Sequence, residues 1–482
     1  MSIHTRSSIK APAAAMALLL SLAAAACGQK PGVEAPAGTY VGADGMPVGG
    51  AGPGAVAPDG SVPGAAAGAP GGSTGGGTGG GTGGGGSTAS GGGSTGGGTT
   101  DGTGGGGGGA VGAGDTTGVT ATAIRIGFHA PVTGAAAIPS TSFQRGIQVY
   151  FDDVNKRGGI HGRKVEVFFE DDQFRPDVAV AKCKDLAETK KVFMIFGGAG
   201  SDQIEACARY AASAGVPYMS AGVQQASKNG SLGDLNTYYA ATLTYEQQAP
   251  IVARIAKQVA SGKKVTLRVA DNSSLDGYFQ AQGSALASAL GGSYVNPGGS
   301  GRIPKNTQGG DALDVGTKIC NSGAGVVVWN ASPSSLLNVS ASMPCTVIFV
   351  GPGLSNGLNI VANAGCPKLN NARFLSPFPG MDVMRKNDAF MRAYAARNGG
   401  AAPDDIAASV YASEALLGQI LMATGKSLDR QSFLSTIARQ RVFKNGIFPP
   451  TNFRSRFGGT AMWHLRADCG KREYVTEGLV SP

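Results

Sequence analysis

The chain has 482 residues, 80 of them glycine, with a formal net charge of +9 and an isoelectric point near 9.2. That charge would suit nucleic acid, but the Lys and Arg residues are scattered and form no run interleaved with aromatics, so no nucleic-acid partner is expected and the excess reads as a solvated basic surface. The histidines (His4, His129, His161 and His464) stand apart and no C-x-x-C pair occurs, so neither a metal site nor a cofactor is expected.

Arg6 and Lys10 precede an apolar segment, Ala11 to Ala26, which is short for a bilayer span and ends in Ala24-Ala25-Ala26-Cys27. Residues 1–26 therefore read as an export signal. Small residues before a cysteine resemble a bacterial lipobox, in which cleavage before Cys27 is followed by acylation of its thiol. Alanine, not leucine, stands three places before that cysteine, which leaves plain secretion as the alternative. Residues 27–118 are Gly, Ala, Pro, Ser and Thr with repeats such as GGGTGGGTGGGG that bury no core, and they read as a disordered tether with a root-mean-square span on the order of 50 Å. The G-x-S-x-G match at Gly71 to Gly75 lies in this coil, where no strained strand-to-helix turn holds a nucleophile, and is compositional.

From Val119 onward strands and helices alternate. Strand Ile124 to Phe128 is followed by a helix with Phe143, Ile147, Tyr150, Phe151 and Val154 on one face and Gly158-Gly159 as its stop. Strand Lys164 to Glu170, a helix from Pro176 to near Lys190, strand Val192 to Phe196, a helix through Ile204, Cys207 and Ala211, and strand Val216 to Ser220 complete a parallel α/β unit. After Thr242 the pattern restarts: helix Glu246 to Ala260, strand Lys264 to Ala270, helix Gly277 to Leu290, strand Ser293 to Val295, helix Ala312 to Cys320, strand Gly325 to Asn330, helix Ser334 to Ser342 and strand Thr346 to Val350. Arg373 to Phe378 reads as a crossing strand. Helices Met384 to Asn398, Asp404 to Thr424 and Arg430 to Arg439 follow with no strand between them and are expected to cover the first sheet. Gly459 to Val480 reads as two strands around the Asp468-Cys469-Gly470 turn. The expected architecture is two doubly wound parallel-sheet lobes joined by a multi-strand hinge, with 119–242 plus 379–458 in the first lobe and 243–378 plus 459–482 in the second.

The stretch VFMIFGGAGSDQ, Val192 to Gln203, carries the functional expectation. A buried strand breaks into Gly197, Gly198 and Gly200, and Ser201 or Asp202 is placed to cap the next helix. Such a turn offers unpaired backbone N–H groups and the positive end of a helix dipole to a small anionic or polar ligand. Beyond Cys27 the cysteines are Cys183, Cys207, Cys320, Cys345, Cys366 and Cys469, an even set in an exported chain, which favours disulfides. Many pairings are open. The coarse elements favour Cys183 with Cys207 and Cys320 with Cys345, and Cys366 with Cys469 follows by elimination.

The runs IRIGFHAPVTG, RGIQVYFDDVNKRGGIHGRKVEVFFEDDQFRPDVAVAKCKDLAE, FGGAGSDQ and AGVPYMSAGV resemble the type I periplasmic binding proteins of branched-chain amino-acid (leucine/isoleucine/valine-binding-like) ABC importers. The likeness is strong over Ile124 to Val223 and diffuse beyond. The resemblance implies a receptor, expected to be monomeric, that holds a small-molecule solute between two lobes and hands it to the transmembrane subunits of an ABC permease. It would sit outside the cytoplasm, anchored by lipid to the outer face of the cell membrane. The family's carboxylate-binding positions match Ser201 with its neighbour Asp202, and Ser220, Ala221, Gly222 and Val223. Thr133 in the first strand-to-helix loop, Tyr245 at a helix start, and Asp276 join the candidates, although Asp276 taken alone reads more readily as a simple helix cap. In the second lobe Trp329-Asn330 stands where the family has an aromatic turn, making Asn330 a candidate and Trp329 a core residue or a stacking platform. Gly351-Pro352-Gly353 has glycine where the family has the acid that binds a ligand's amino group. That departure points to a carboxylate or neutral polar solute, because an ammonium would lose a charge-assisted bond worth roughly 1.5 to 3 kcal/mol.

Two other readings stand beside this one. A ligand-sensing surface receptor would use the same cleft without transport. An exported enzyme would need a base, nucleophile or metal there, and the chain carries no H-E-x-x-H, no Ser-His-Asp set and no close carboxylate pair, so catalysis is not expected. Gly425-Lys426-Ser427 resembles the end of a phosphate loop, but Ile420 occupies the first glycine position and a helix precedes it.

Overall fold

Burial on both faces explains the strand β1 (Ala123–Ala130), whose side chains from Phe128 to Ala130 are all buried and which is hydrogen-bonded on both edges. The structure is a computed structural model that describes residues 40–41, 47–48, 114–135, 138–220, 232–296, 301–439 and 442–482. The export signal and Cys27 lie outside the described residues, as does the tether apart from 114–118 and a two-residue antiparallel pair, Tyr40–Val41 with Pro47–Val48.

The first sheet continues with β2 (Lys164–Asp171), β3 (Met194–Gly197), β4 (Tyr218–Ser220) and β5 (Tyr238–Ala240). It is five-stranded, ordered β2-β1-β3-β4-β5, and parallel throughout. The second sheet contains β6 (Lys264–Ala270), β7 (Arg302–Ile303), β8 (Ala324–Asn330), β9 (Ile348–Pro352), β10 (Arg373–Ser376), β11 (Met462–Asp468) and β12 (Glu473–Val480). Its seven strands run β12-β11-β10-β9-β8-β6-β7, parallel except for the antiparallel β10-β11-β12 edge. The strand expected at Ser293 to Val295 is reduced to a turn, Gly291–Ser293, and one bridge from Tyr294 to Val265.

The helix expected over Phe143 to Val154 is broken into α1 (Ser140–Gly146) and α2 (Val149–Lys156). Gln148 adopts a left-handed φ of 72° at the break. Its side chain clamps β2, donating to the Val165 carbonyl at 2.6 Å and accepting from the Val167 amide at 2.8 Å. The freed amides of Gln148 and Tyr150 donate to the buried Glu414 carboxyl group at 2.6 and 3.0 Å. A side chain distant in sequence thus caps α2 from outside.

Helix α3 (Pro176–Lys184) packs beside α4 (Ser201–Ser213), and Cys183–Cys207 ties them together. In the second half α5 (Tyr245–Ala260), α6 (Asp276–Leu290), α7 (Gly309–Asn321), α8 (Pro333–Ser342) and α9 (Asn359–Gly365) flank the sheet. Thr244 and Gln247 form a reciprocal capping box at the start of α5. Cys320–Cys345 and Cys366–Cys469 close the other disulfides, so all three expected pairings are present.

The late helices are α10 (Met381–Met384), α11 (Asp388–Asn398), α12 (Asp405–Thr424) and α13 (Arg430–Arg439). The last three pack on the first sheet's side, α12 against α1 and α2 and α11 against α2. Arg430 of α13 is 4% exposed and donates to the carbonyls of Val192 and Phe193 just before β3, with its charge compensated by Asp115 at 2.9 Å. Helix α12 is long and apolar enough to cross a membrane, but 78% of its apolar window is buried, and it serves as a core helix of this fold.

Chain segments cross between the sheets after β5, after β10 and before β11. Two of them run side by side: Ala240 N donates to Arg456 O at 2.9 Å, Gly458 N to Ala240 O at 2.7 Å and Gly459 N to Thr242 O at 3.2 Å.

A polar cleft between the two sheets

Parallel strands deliver their carboxyl ends to one edge, and here the ends of β3, β6, β8 and β9 meet around a cleft of about 690 Å³, its open mouth included. Such a volume suits a small molecule.

The β3 wall is built by glycine. Gly198 has φ +89°, and a β-carbon on it would collide with Ile204; one on Gly200 would strike the Gln203 amide. The N-cap of α4 is Gly200, with no side-chain cap bond, so Ser201 and Asp202 stand inside the first turn and do not cap it as expected. The reason is a stronger partner for Asp202: its carboxylate pairs with Lys305, which follows β7. Left without intrahelical acceptors, the first-turn amides of Ser201, Asp202 and Gln203 present the positive end of α4.

The opposite wall supplies Asn330 at the end of β8, Ser332 at the cap of α8, Asn356 after β9, and Tyr245 with Gln248 on α5. Tyr245 joins the walls: its hydroxyl lies against the side chains of Ser201 and Asn330, and burial pushes it up to about 12 against their opposing effect. Gln248 and Asn356 are 1% and 3% exposed. Gln248 Nε2 donates to Leu243 O at 2.8 Å and Asn356 Nδ2 to Ala331 O at 3.0 Å, which fixes the orientation of both amides. Their oxygens, Oε1 and Oδ1, have no hydrogen-bond partner among the described residues. A buried acceptor left in that state costs about 1 to 3 kcal/mol, which a donor group would relieve once a local shift opens these oxygens to the cleft. Asp202 and Lys305 are the only charged residues lining the cleft among those described, and they neutralise each other.

Ser201, Asp202, Tyr245 and Asn330 are therefore brought together as expected from sequence. Thr133, Ser220 and Asp276 do not line the cleft. The Thr133 hydroxyl is spent on Asp171, and although burial raises that carboxyl, the bonds from Thr133, Val132 and Gln173 hold it below the usual range. Ser220 is fully buried at the end of β4. Asp276 opens α6 with its carboxylate on Arg302, whose guanidinium stacks over Phe279 at 4.3 Å. Ala221, Gly222 and Val223 lie outside the described residues. Trp329 is fully buried edge-on to Phe349, so it is core and no stacking platform. Lys305, Gln248 and Asn356 were not foreseen, since nothing in their local sequence separates them from surface polar residues. The missing acid at Gly353 has a steric reason: a β-carbon there would collide with Phe374.

His129, Cys183 and Cys207 also gather their donor atoms, but the sulfurs form a disulfide and both His129 nitrogens are engaged, with Asp172 and Tyr218 at 2.8 Å each. This cluster is a buried strut.

A family model described as a periplasmic binding protein matches residues 123–468. The chain belongs to the type I periplasmic binding protein family. This binding protein is 27% identical over 137 residues to the Leu/Ile/Val-binding protein homolog 7 of Brucella abortus (strain 2308), a match covering 28% of this chain and 34% of that protein, about a third of the relative's length. Its fold is similar to that of the branched-chain amino acid transporter substrate binding protein LivJ from Streptococcus pneumoniae in complex with isoleucine, with TM-score 0.59, 23% identity, and 75% of this chain and 100% of the other covered. It is also similar to a solute binding protein of an ABC transporter from Rhodopseudomonas palustris BisB5 in complex with 3,4-dihydroxy benzoic acid, with TM-score 0.57, 17% identity, and coverage of 74% and 97%. Members of the family are extracytoplasmic solute-binding proteins, not enzymes.

Proposed function

We propose that this chain is an extracytoplasmic solute-binding lipoprotein of an ABC importer, anchored through Cys27, that captures a small polar or carboxylate-bearing solute between two lobes and passes it to permease subunits. The lobes are residues 119–242 plus 379–458 and 243–378 plus 459–482, and the receptor acts as a monomer. The observation that carries the reading is the make-up of the cleft, with helix-terminal amides of α4 on one wall and the neutral amide side chains of Gln248, Asn330 and Asn356 on the other. Donors on one side suit a carboxylate, and neutral amides on the other, which donate and accept, suit a hydroxyl or amide. Isoleucine and dihydroxybenzoic acid, bound by the two structural relatives, share the carboxylate. With Gly353 in place of an acid, a full ammonium charge has no compensating partner among the described residues of the cleft, which favours a carboxylate or neutral polar solute over an α-amino acid. Three disulfides accord with a location outside the cytoplasm.

Thermal shift and calorimetry of the purified protein against amino acids, hydroxy and aromatic carboxylates and polyols test this. A binder raises the melting temperature by mass action, about 2.7 kcal/mol at a hundredfold excess over Kd. Silence across the panel from a folded protein, or turnover of any ligand, overturns the reading. Loss of uptake on gene deletion tests the importer role, whereas loss of a signalling response alone would make it a sensor.

Lys305 bridges the two walls, with its ammonium on Asp202 and 5.8 Å from the Phe174 ring. Because Lys305 is a third exposed, its pair is worth at most about 1 kcal/mol after screening. Lys305→Met is expected to weaken ligand affinity about fivefold and to raise the unliganded radius of gyration in small-angle scattering, with the melting temperature little changed. Unaltered affinity and scattering would remove Lys305 from closure.

A further inference from the structure

Beside the polar cleft lies a second chamber of about 500 Å³, its opening to solvent included, lined by no ionisable residue among those described. It shares Ala199, Leu354 and Ser355 with the cleft, so the compartments adjoin at the β3 turn that leads into α4. Its walls are Phe128 and Phe196 of the first sheet, Phe143 of α1, and Ile138, Leu358 and Phe378 from the connecting segments. Ser409 and Ser413 of α12 also line it, but their hydroxyls are turned to the helix's own carbonyls, at Ile406 (2.7 Å) and Ser409 (2.8 Å). An apolar space of this kind offers water few partners.

We propose that the solute is an amphiphilic monocarboxylate, its carboxylate at the α4 amides and its alkyl or aryl body in this chamber. The inference rests on the receptor reading and names the class of solute. Position decides the arrangement: Gly198 and Ala199 line the chamber while Ala199, Gly200 and Ser201 line the cleft, so a carboxylate at this turn stands at the mouth of the apolar compartment. A purely polar solute would leave the aromatic walls without contacts.

The test is a calorimetric series of straight-chain carboxylates from propanoate to decanoate, with 3-phenylpropanoate, all below their micellar concentrations. Affinity is expected to rise about fourfold per methylene until the chamber is filled and then level off. Ser409→Leu, which fills the chamber from α12, is expected to reduce the decanoate-to-propanoate affinity ratio at least tenfold, with Ser409→Ala as the control that keeps the space open. A flat chain-length series while hydroxy or amino carboxylates bind would overturn this inference and leave the receptor reading standing. If Ser409→Leu fails to fold, the chain-length series on the unaltered protein decides alone. Absence of binding by every carboxylate would overturn this inference, and silence across the whole panel, polyols included, would overturn the receptor reading as well.

Discussion

Replacing Gly459 with alanine is expected to destabilise the protein by about 3 kcal/mol, a fall in melting temperature on the order of 4 °C. Gly459 lies where two crossing segments run side by side, and a β-carbon there would collide with backbone atoms of Thr242 and Leu243. Backbone has no rotamer into which to retreat, so the strands must separate, stretching Gly459 N→Thr242 O, now 3.2 Å, and disturbing the neighbouring Gly458 N→Ala240 O bond. The same substitution should weaken ligand binding, because these segments carry the alignment of the two walls of the cleft. Gly310 is the control: it sits in the first turn of α7 with open space for 4 Å around the point a β-carbon would occupy, and alanine there should be neutral or stabilising by a few tenths of a kcal/mol. Denaturant melts of both variants check the contrast. Equal stabilities would mean that the crossing tolerates separation and does not set the geometry of the cleft.

Local pattern made much of this architecture legible. Strand β6 occupies the expected Lys264 to Ala270, and the cysteines pair as the order of strands and helices suggested. The glycine turn after β3 was readable because glycine is demanded by backbone geometry alone. Failures arose where a distant group decides. The hydrophobic stripe from Phe143 to Val154 runs on as a continuous helix in sequence, but Glu414, 266 residues from Gln148, supplies the acceptor that makes a break there tolerable. Ser201 and Asp202 have the chemistry of caps, yet Lys305 draws Asp202 across the cleft and the helix starts at Ser201 on a glycine. Thr133 and Asp276 were plausible ligands by position, and each is taken by a neighbouring charge in the fold. Gln248 and Asn356 carry no local signature at all. Their role follows from where α5 and the loop after β9 converge.

Glu414→Ala is expected to cost about 3 to 5 kcal/mol, because it orphans the Gln148 and Tyr150 amides in the interior and leaves a cavity beneath the sheet. The carboxyl also makes stability depend on pH. Burial pushes Glu414 up to about 8, against the amides of Gln148, Tyr150 and Phe151 and the charge of Arg397. Burial likewise pushes Asp405, on the same helix and beside Asp404, up to about 7, with amide bonds from Asn359 and its own helix opposing. Between the unfolded value of 4.5 and about 8 the folded Glu414 keeps a proton that the unfolded chain releases, so stability declines as pH rises through that window, by roughly 4 to 5 kcal/mol for this group in full. His464 acts in the opposite sense: burial and Arg373 depress it, so stability rises with pH until its ordinary 6.5 is passed. Above that point only the carboxyls' decline remains of the three, and urea melts from pH 6.5 to 8.5 should show falling stability. Glu414→Gln fixes the neutral form and should flatten most of that slope, since Glu414 titrates higher than Asp405, at the expense of a donor facing one of the two amides. A slope as steep in Glu414→Gln as in the unaltered protein would mean that the amides prevail over burial, and that Glu414 is ionised in the fold as a carboxylate capping α2.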